Sequence, residues 1–175
     1  MPMRFATKLV ACGLALAASA TGARAKAEQQ EPLSLQGAWV MDSAYEIRAD
    51  GTRVTNYGEL PMGLLMVDAD GRYSLQIFRI GRPKFASGDK TLGRPEEFRE
   101  AVLGSSTHFG RVKVDPANHR LTFDIEAASY PNWEGKQQVR DFAYEGGLLT
   151  YQVPASASGN GTIAYSIWRK VSEGR

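Results

Sequence analysis

Sulfur and imidazole are scarce in this chain. Its 175 residues include one cysteine, Cys12, and two histidines, His108 and His119. A single cysteine forms no intrachain disulfide, and two histidines on separate turns offer no metal-ligand spacing. Asp68-x-Asp70-Gly71 lacks the remaining oxygen ligands and the late Glu of an EF-hand loop, so it reads as a turn. Long apolar runs are also missing: residues 9–20 are apolar but too short to span a bilayer. Glycine-rich stretches such as Gly159-Asn160-Gly161 lead into no helix and carry no Lys-Ser/Thr, which excludes a phosphate loop. Ser105, Ser106, Ser129 and Ser156 sit in no nucleophile elbow. Neither a metal nor a cofactor is expected, and no catalytic residue is assigned.

What is present begins with a leader. Arg4 and Lys8 precede the apolar run, and Ala23-Arg24-Ala25 fits an A-x-A cleavage site, with Ala27 as a second one. The expectation is a signal peptide over 1–25, export to a periplasmic or extracellular location, a flexible lead-in over 26–34, one domain over 35–171 and a tail over 172–175. Only three residues separate Cys12 from Lys8, too few for the apolar run that a lipoprotein anchor requires, so Cys12 is read as part of the leader. The leader holds Arg4, Lys8 and Arg24 and no acid, so its loss turns a formal charge of +2 into −1. No basic block is left to contact nucleic acid.

The rest of the chain is strand, turn, strand. Pro61–Ile80 reads as a hairpin about Asp68-Ala69-Asp70-Gly71, its second arm setting Tyr73, Leu75, Ile77 and Arg79 on one face. Similar arms follow at 107–114, 120–128, 137–144, 148–153 and 162–171, after a first strand over 35–46 and a short one near 52–56. On 120–128, Leu121, Phe123, Ile125 and Ala127 point one way. Gly81–Gly93 is long for a hairpin loop and reads as a mobile segment or a lid. Pro95 opens and Gly104 stops one helix over about 95–103, with Phe98, Ala101 and Val102 as a short apolar face. Ser156–Gly161 reads as a loop. The predicted fold is all-β, an eight- to nine-stranded antiparallel up-and-down barrel with one short helix; a two-sheet sandwich is the alternative.

Gly37-Ala38-Trp39 in the first strand and Arg169 in the last resemble the G-x-W and late Arg of the lipocalin superfamily. That resemblance implies a structural role in closing the barrel for Gly37, Trp39 and Arg169, the guanidinium lying over the indole. Arg169 shares parity with Ile163, Tyr165 and Ile167, which suits an inward orientation. A broader pattern runs from Leu35 to Arg169: Tyr57-Gly58, Pro61-x-Gly63-x-Leu65, Asp70-Gly71-Arg72-Tyr73-Ser74-x-Gln76, Arg79, Arg82-Pro83, Phe109-Gly110, Pro131-Asn132-Trp133-x-Gly135 and Arg140. It resembles the lipocalin-like domain family of small bacterial and fungal proteins. Where that family often has histidine before the Pro-Asn-x-x-Gly loop, this chain has Phe123 and Asp124, so no histidine role carries over to that strand.

Arg79 and Arg140 are the leading ligand-binding candidates, with Tyr73, Tyr144, Tyr151 and His108 beside them. A desolvated guanidinium needs an acceptor, which a ligand carboxylate, phosphate or enolate supplies in bidentate geometry. The alternative is an internal ion pair with Glu46, Glu59 or Asp141, or a strand-end position in solvent. His108 shares parity with Val112 and Val114 and reads either as a proton-transfer group or as a satisfied wall residue; His119 lies beside a turn. The expected function is binding of a small hydrophobic or amphipathic molecule, anionic ones included, in a barrel cavity by a monomer or weak dimer. The rivals are a barrel enzyme of isomerase, cyclase or dehydratase type, and an envelope interaction or inhibitor module working through loops near Phe85 or Trp133.

Overall fold

Alternating burial on successive strands curls the chain into a closed barrel. The computed structural model describes residues 33–158 and 161–172. The expected leader, with Cys12, and most of the expected lead-in lie outside the described residues. The strands are β1 (Gly37–Ile47), β2 (Arg53–Val54), β3 (Met62–Val67), β4 (Arg72–Phe78), β5 (Ser105–Asp115), β6 (Arg120–Ala128), β7 (Gln137–Glu145), β8 (Leu148–Val153) and β9 (Ile163–Lys170). All pairings are antiparallel between neighbours, and β9 returns to β1 through pairs such as Trp39 with Lys170 and Ile47 with Ile163. Eight strands thus close on themselves, which leaves no long unpaired edge. The two-residue β2 lies outside that ring, paired with the distal end of β1. The sandwich alternative is set aside by the β1–β9 ladder.

The hairpin turns show why the sequence reverses where it does. Asp68 takes the amides of Asp70 and Arg72 on one carboxylate oxygen, at 2.9 and 2.8 Å. Its oxygen is therefore engaged in an Asx-type turn. This β3–β4 turn, the β5–β6 turn and the β7–β8 turn gather at one end of the barrel, with Trp39 as the plug. The Trp39 indole is fully buried, donates to the Leu35 carbonyl at 2.8 Å and meets Tyr144 edge-on at 6.2 Å. Leu33, placed in the flexible lead-in by the sequence, packs against the same core.

Two irregularities reverse the face of the residues beyond them. In β1 the register against β9 shifts between Met41 and Ser43, so Trp39, Met41 and Ala44 all face inward. In β6 the shift falls opposite Phe109 and Gly110: Gly110 pairs with Ile125 and Phe109 with Ala127, leaving Glu126 as the extra residue. Ala127 therefore does not continue the inward row expected of it, and Ala128 packs on the core in its place.

Arg169 is the clearest correction. Ser166 and Trp168 are the buried residues of β9, so Arg169 points out, with its side chain 60 % exposed and Asp42 at 3.7 Å. Lys170, of the opposite parity, brings its Nζ to 5.5 Å from the Trp39 ring. Parity misled because both faces of β9 are apolar: Tyr165 lies on the outside, stacked on Tyr45 at 4.8 Å. An exposed pair of this length contributes little. Arg169→Ala should therefore shift unfolding stability by no more than about 0.5 kcal/mol in urea titration, whereas a ring-covering arginine would cost several times that.

The opposite end carries the long connections. Helix α1 (Pro95–Leu103) follows the 81–93 segment, a single 3-10 turn spans Pro131–Trp133, and a short helical turn α2 (Ala155–Ser158) stands where a loop was expected. The 81–93 segment is tied to α1, since Glu97 accepts the Ala86 amide at 3.1 Å and the Arg94 amide at 2.8 Å while Phe85 meets Phe98 edge-on. Glu97 is the buried residue of α1. Phe98 and Val102, expected as its apolar face, are exposed, Phe98 keeping its contact with Phe85 and Gly93.

Candidate functional site

The interior is filled by rings, and one charge lies among them. On β7, Gln138, Arg140 and Phe142 take the inward positions, which sets Arg140 at 2 % exposure in the barrel. Its guanidinium lies 4.2 Å from the Phe123 ring and 5.2 Å from the Tyr151 ring. The Nη2 nitrogen donates to the Gln138 side-chain oxygen at 2.8 Å and faces the His108 Nε2 at 3.5 Å. Seven ion pairs occur among the described residues, and Arg140 is in none of them. The Arg140 Nε, the Tyr151 hydroxyl and the Trp168 Nε1 are buried without a hydrogen-bond partner. Ser166, Trp168 and Arg140 nevertheless face that Tyr151 hydroxyl, so polar groups converge beside the guanidinium.

His108 links Arg140 to Tyr73. Its Nδ1 is 2.7 Å from the Tyr73 hydroxyl, and the ring stands edge-on to Phe123 and Trp133. Arginine has no acceptor, so the Nε2 facing it must carry the lone pair and the proton resides on Nδ1. The Nδ1–H then donates to the Tyr73 oxygen, leaving the Tyr73 hydroxyl proton for another acceptor. Burial, reinforced by the Arg140 charge, holds His108 well below the ordinary histidine value of 6.5. Burial pushes Tyr73 well up despite the pull of Arg140, and pushes Tyr151 up as well. Burial also lowers the Arg140 guanidinium, with Tyr151 and Tyr73 opposing that shift. It nevertheless remains a cation at any ordinary pH.

These shifts fix a pH dependence. The unfolded chain takes up a proton on His108 below 6.5 while the folded protein does not. The contribution of this neutral histidine is therefore complete above that pH and falls as pH drops, by up to about 1.4 kcal/mol per unit. His108→Gln should remove that component from the stability profile between pH 6.5 and 5, measured by urea unfolding. A wild-type slope unchanged by the substitution would show that His108 titrates freely in the folded state.

The other candidates lie elsewhere. Arg79 follows β4 and is part-exposed, ion-paired with Glu100 of α1; Glu46, Glu59 and Asp141, considered for it from the sequence, are not its partner. Tyr144 is half-buried at the Trp39 end, four residues along β7 from Arg140. His119 is exposed in its turn. The structure thus gathers Arg140, His108, Tyr73 and Tyr151 and leaves Arg79 and Tyr144 apart. Sequence reasoning missed Gln138 and Phe123 as neighbours of the guanidinium and Trp133 as a neighbour of His108. Gln138 was readable from its parity with Arg140, two residues away.

A depression of about 520 Å³ lies at the end of the barrel carrying the Pro131–Trp133 turn, lined by Trp133, Lys136, Gln138, Val139, Pro154 and Ala157 among others and by none of Arg140, His108, Tyr73 and Tyr151. Gln138 and Trp133 belong both to it and to the interior. The Trp133 indole donates to the Ala157 carbonyl at 3.0 Å while its ring meets His108 at 5.7 Å. These two side chains are the partition between the depression and the buried guanidinium. Among the described residues no three His, Cys, Asp or Glu side chains come together as a metal ion would require.

Comparison with known proteins agrees with this architecture. The 4'-hydroxy-3'-methoxypropiophenone carrier protein of Aspergillus oryzae is 28% identical over 106 residues, a stretch covering 56% of this chain and 96% of that protein. Residues 36–171 match the lipocalin-like domain, from the first barrel strand to just past the last. With most of its length in that match and its eight strands closed in sequence order, the chain belongs to the lipocalin-like domain family.

Proposed function

We propose that this is an exported binding protein for a small aromatic or amphipathic molecule, which enters at Trp133 and Gln138 and directs an acceptor oxygen at Arg140. The observation that carries the reading is the guanidinium at 2 % exposure with no carboxylate paired to it among the described residues. Desolvating such a cation costs several kcal/mol unless an acceptor faces it, and a carbonyl, phenolate or carboxylate oxygen is a good one. The aromatic lining suits a ring, and the depression falls in the size range of small-molecule sites. The name of the fungal relative supports the same class: a hydroxylated aryl ketone offers a ring, a carbonyl acceptor and an acidic phenol.

The Tyr73–His108 hydrogen bond is what favours an enzyme instead. A general base works best near the operating pH, however, and burial moves these two groups away from neutrality in opposite directions. That separation suits a fixed binding surface.

Titration with 4'-hydroxy-3'-methoxypropiophenone and simple aromatic acids, followed by Trp133 fluorescence, tests the reading. Trp133→Phe serves to assign the signal. Saturable quenching at one molecule per chain is expected, and native mass spectrometry of freshly purified protein should show the same stoichiometry. No saturable response to any aryl ketone, phenol or aromatic acid would end it. Export is tested separately by the N-terminal mass of the processed protein, which should begin at Lys26, or at Glu28 if the second site is used.

A further inference from the structure

Helix α1 leaves its large apolar side chains uncovered and turns a carboxylate into its own N-terminal cap. The residue it buries is Glu97, while Phe98, Val102 and Leu103 lie on the outer arc. Ile80 joins them, because the Arg79 amide donates to the Gly104 carbonyl and draws the start of the long connection alongside the end of α1. Leu92 adjoins Gly93, which is wedged against the rings of Phe85 and Phe98. These five side chains are 41 to 69 % exposed. Together they form an apolar collar at the end of the barrel that carries the long connections. A soluble protein rarely leaves so many large apolar groups adjacent without a use for them.

Charge says what the collar meets. Residues 79–104 hold six lysines and arginines against four acids, in a chain whose form without residues 1–25 is net −1. Glu97 and Glu100 are tied up by Arg94, Arg79 and Arg99, and Asp89 caps the Thr91 amide. That leaves the cations Arg82, Lys84 and Lys90 interspersed with the apolar side chains, against the carboxylates of Asp89 and Glu96. Arg82 lies with its guanidinium 4.6 Å from the Phe78 ring, its stem along apolar surface. Apolar groups mixed with long cationic side chains, on a helix that is far too short to cross a bilayer, are the composition of a surface that rests in a lipid interface. We propose that this collar docks the protein reversibly on anionic lipid, beyond and independent of the binding role assigned to Arg140.

The test is co-sedimentation of the protein, as processed by the producing cell, with vesicles of phosphatidylcholine alone and of phosphatidylcholine mixed with phosphatidylglycerol. Binding to the anionic vesicles is expected, weakened by raised salt and much lower on phosphatidylcholine alone. The double variant Val102→Glu/Leu103→Glu should lose at least roughly tenfold in partition. Lys84→Glu/Lys90→Glu should lose a similar factor on anionic vesicles only. All four positions are exposed, so both variants should keep the wild-type circular dichroism spectrum and aryl-ketone titration, which separates failure of docking from failure of the interior site. Equal partition into both vesicle types, or into neither, would overturn the proposal. So would a shift from dimer to monomer in the Val102→Glu/Leu103→Glu variant, because a second copy would then be what covers the collar.

Discussion

Arg140→Met should fold to the same barrel, with an unfolding free energy within about 2 kcal/mol of wild type, and should bind aryl ketones or aromatic acids at least roughly tenfold more weakly. Two opposed effects set the first expectation. The substitution removes the standing cost of a desolvated cation that no carboxylate among the described residues compensates, and replacing buried charges by apolar groups of similar size is often neutral or stabilising. Against this, the Gln138 oxygen loses its donor and Phe123 loses a cation over its ring. Each of those losses is worth about 1 kcal/mol. The second expectation follows from charge-assisted hydrogen bonds, worth about 1.5–3 kcal/mol, or roughly 10- to 150-fold in affinity. A structural arginine would behave in the opposite way: stability would drop by about 3 kcal/mol or more, as when a buried network is broken, with affinity untouched. Arg140→Lys separates charge from shape, since lysine keeps the cation but loses the planar fork. Nitrogen-15 NMR of the His108 ring adds an independent reading. The Nδ1–H tautomer is imposed by Arg140, so the Met variant should release Nε2 to carry the proton.

Gly110→Ala should be the most damaging single substitution in the wall. A Cβ at this position would sit 2.0 Å from the Asp124 carbonyl oxygen and 3.0 Å from the Glu126 nitrogen. Both are main-chain atoms of β6 at the extra residue, so no side-chain rotation relieves the collision. The strands must separate or the bulge must shift. A shift by one residue would move the inward row of β6, Leu121, Phe123 and Ile125, to the outside. A loss of about 4 kcal/mol or more is expected, or failure to accumulate folded protein at all. Gly51→Ala, in an open turn with nothing within 4 Å of the added carbon, is the control, and it should cost only the left-handed strain of its φ of +82°, about 1 kcal/mol. Similar losses for the two variants would mean that the close approach at Gly110 is not what the residue is for.

The sequence carried the architecture because alternation is a local signal. The hairpin at Pro61–Ile80, the helix limits and the inward rows of β4, β5 and β7 all derive from which residues sit two apart. The failures also have local causes. A bulge adds one residue and reverses the face of every later position on its strand, and nothing in Asp42 or Glu126 announces it. On β9, apolar residues on both faces removed the contrast that parity needs. Arg79 and Arg140 looked alike in the sequence, yet one faces a carboxylate 21 positions away across a long connection and the other faces none among the described residues. The partner of a charge is a property of tertiary packing, and strand periodicity does not reach it. For the same reason the convergence of Gln138, Trp133 and His108 was invisible, although parity was available for Gln138 and His108; Trp133, in a turn, has no alternation to read.

The β1–β9 ladder that closes the sheet also makes the barrel a ring in which the starting strand is a matter of chain order only. The Val171 amide donates to the Ala38 carbonyl at 2.8 Å, so the two ends of the barrel sequence run side by side, away from the Trp133 depression. A short glycine-serine bridge from Ser172 to Ser34 would span them, with new termini cut between Gly146 and Gly147 at the tip of an exposed hairpin. Such a circular permutant should keep the aryl-ketone titration of the parent, since no strand contacting Arg140 changes neighbours. Its folding rate is where the two should differ, because β1–β9 would become a local pairing and β7–β8, a tight hairpin in the parent, would become the most distant one.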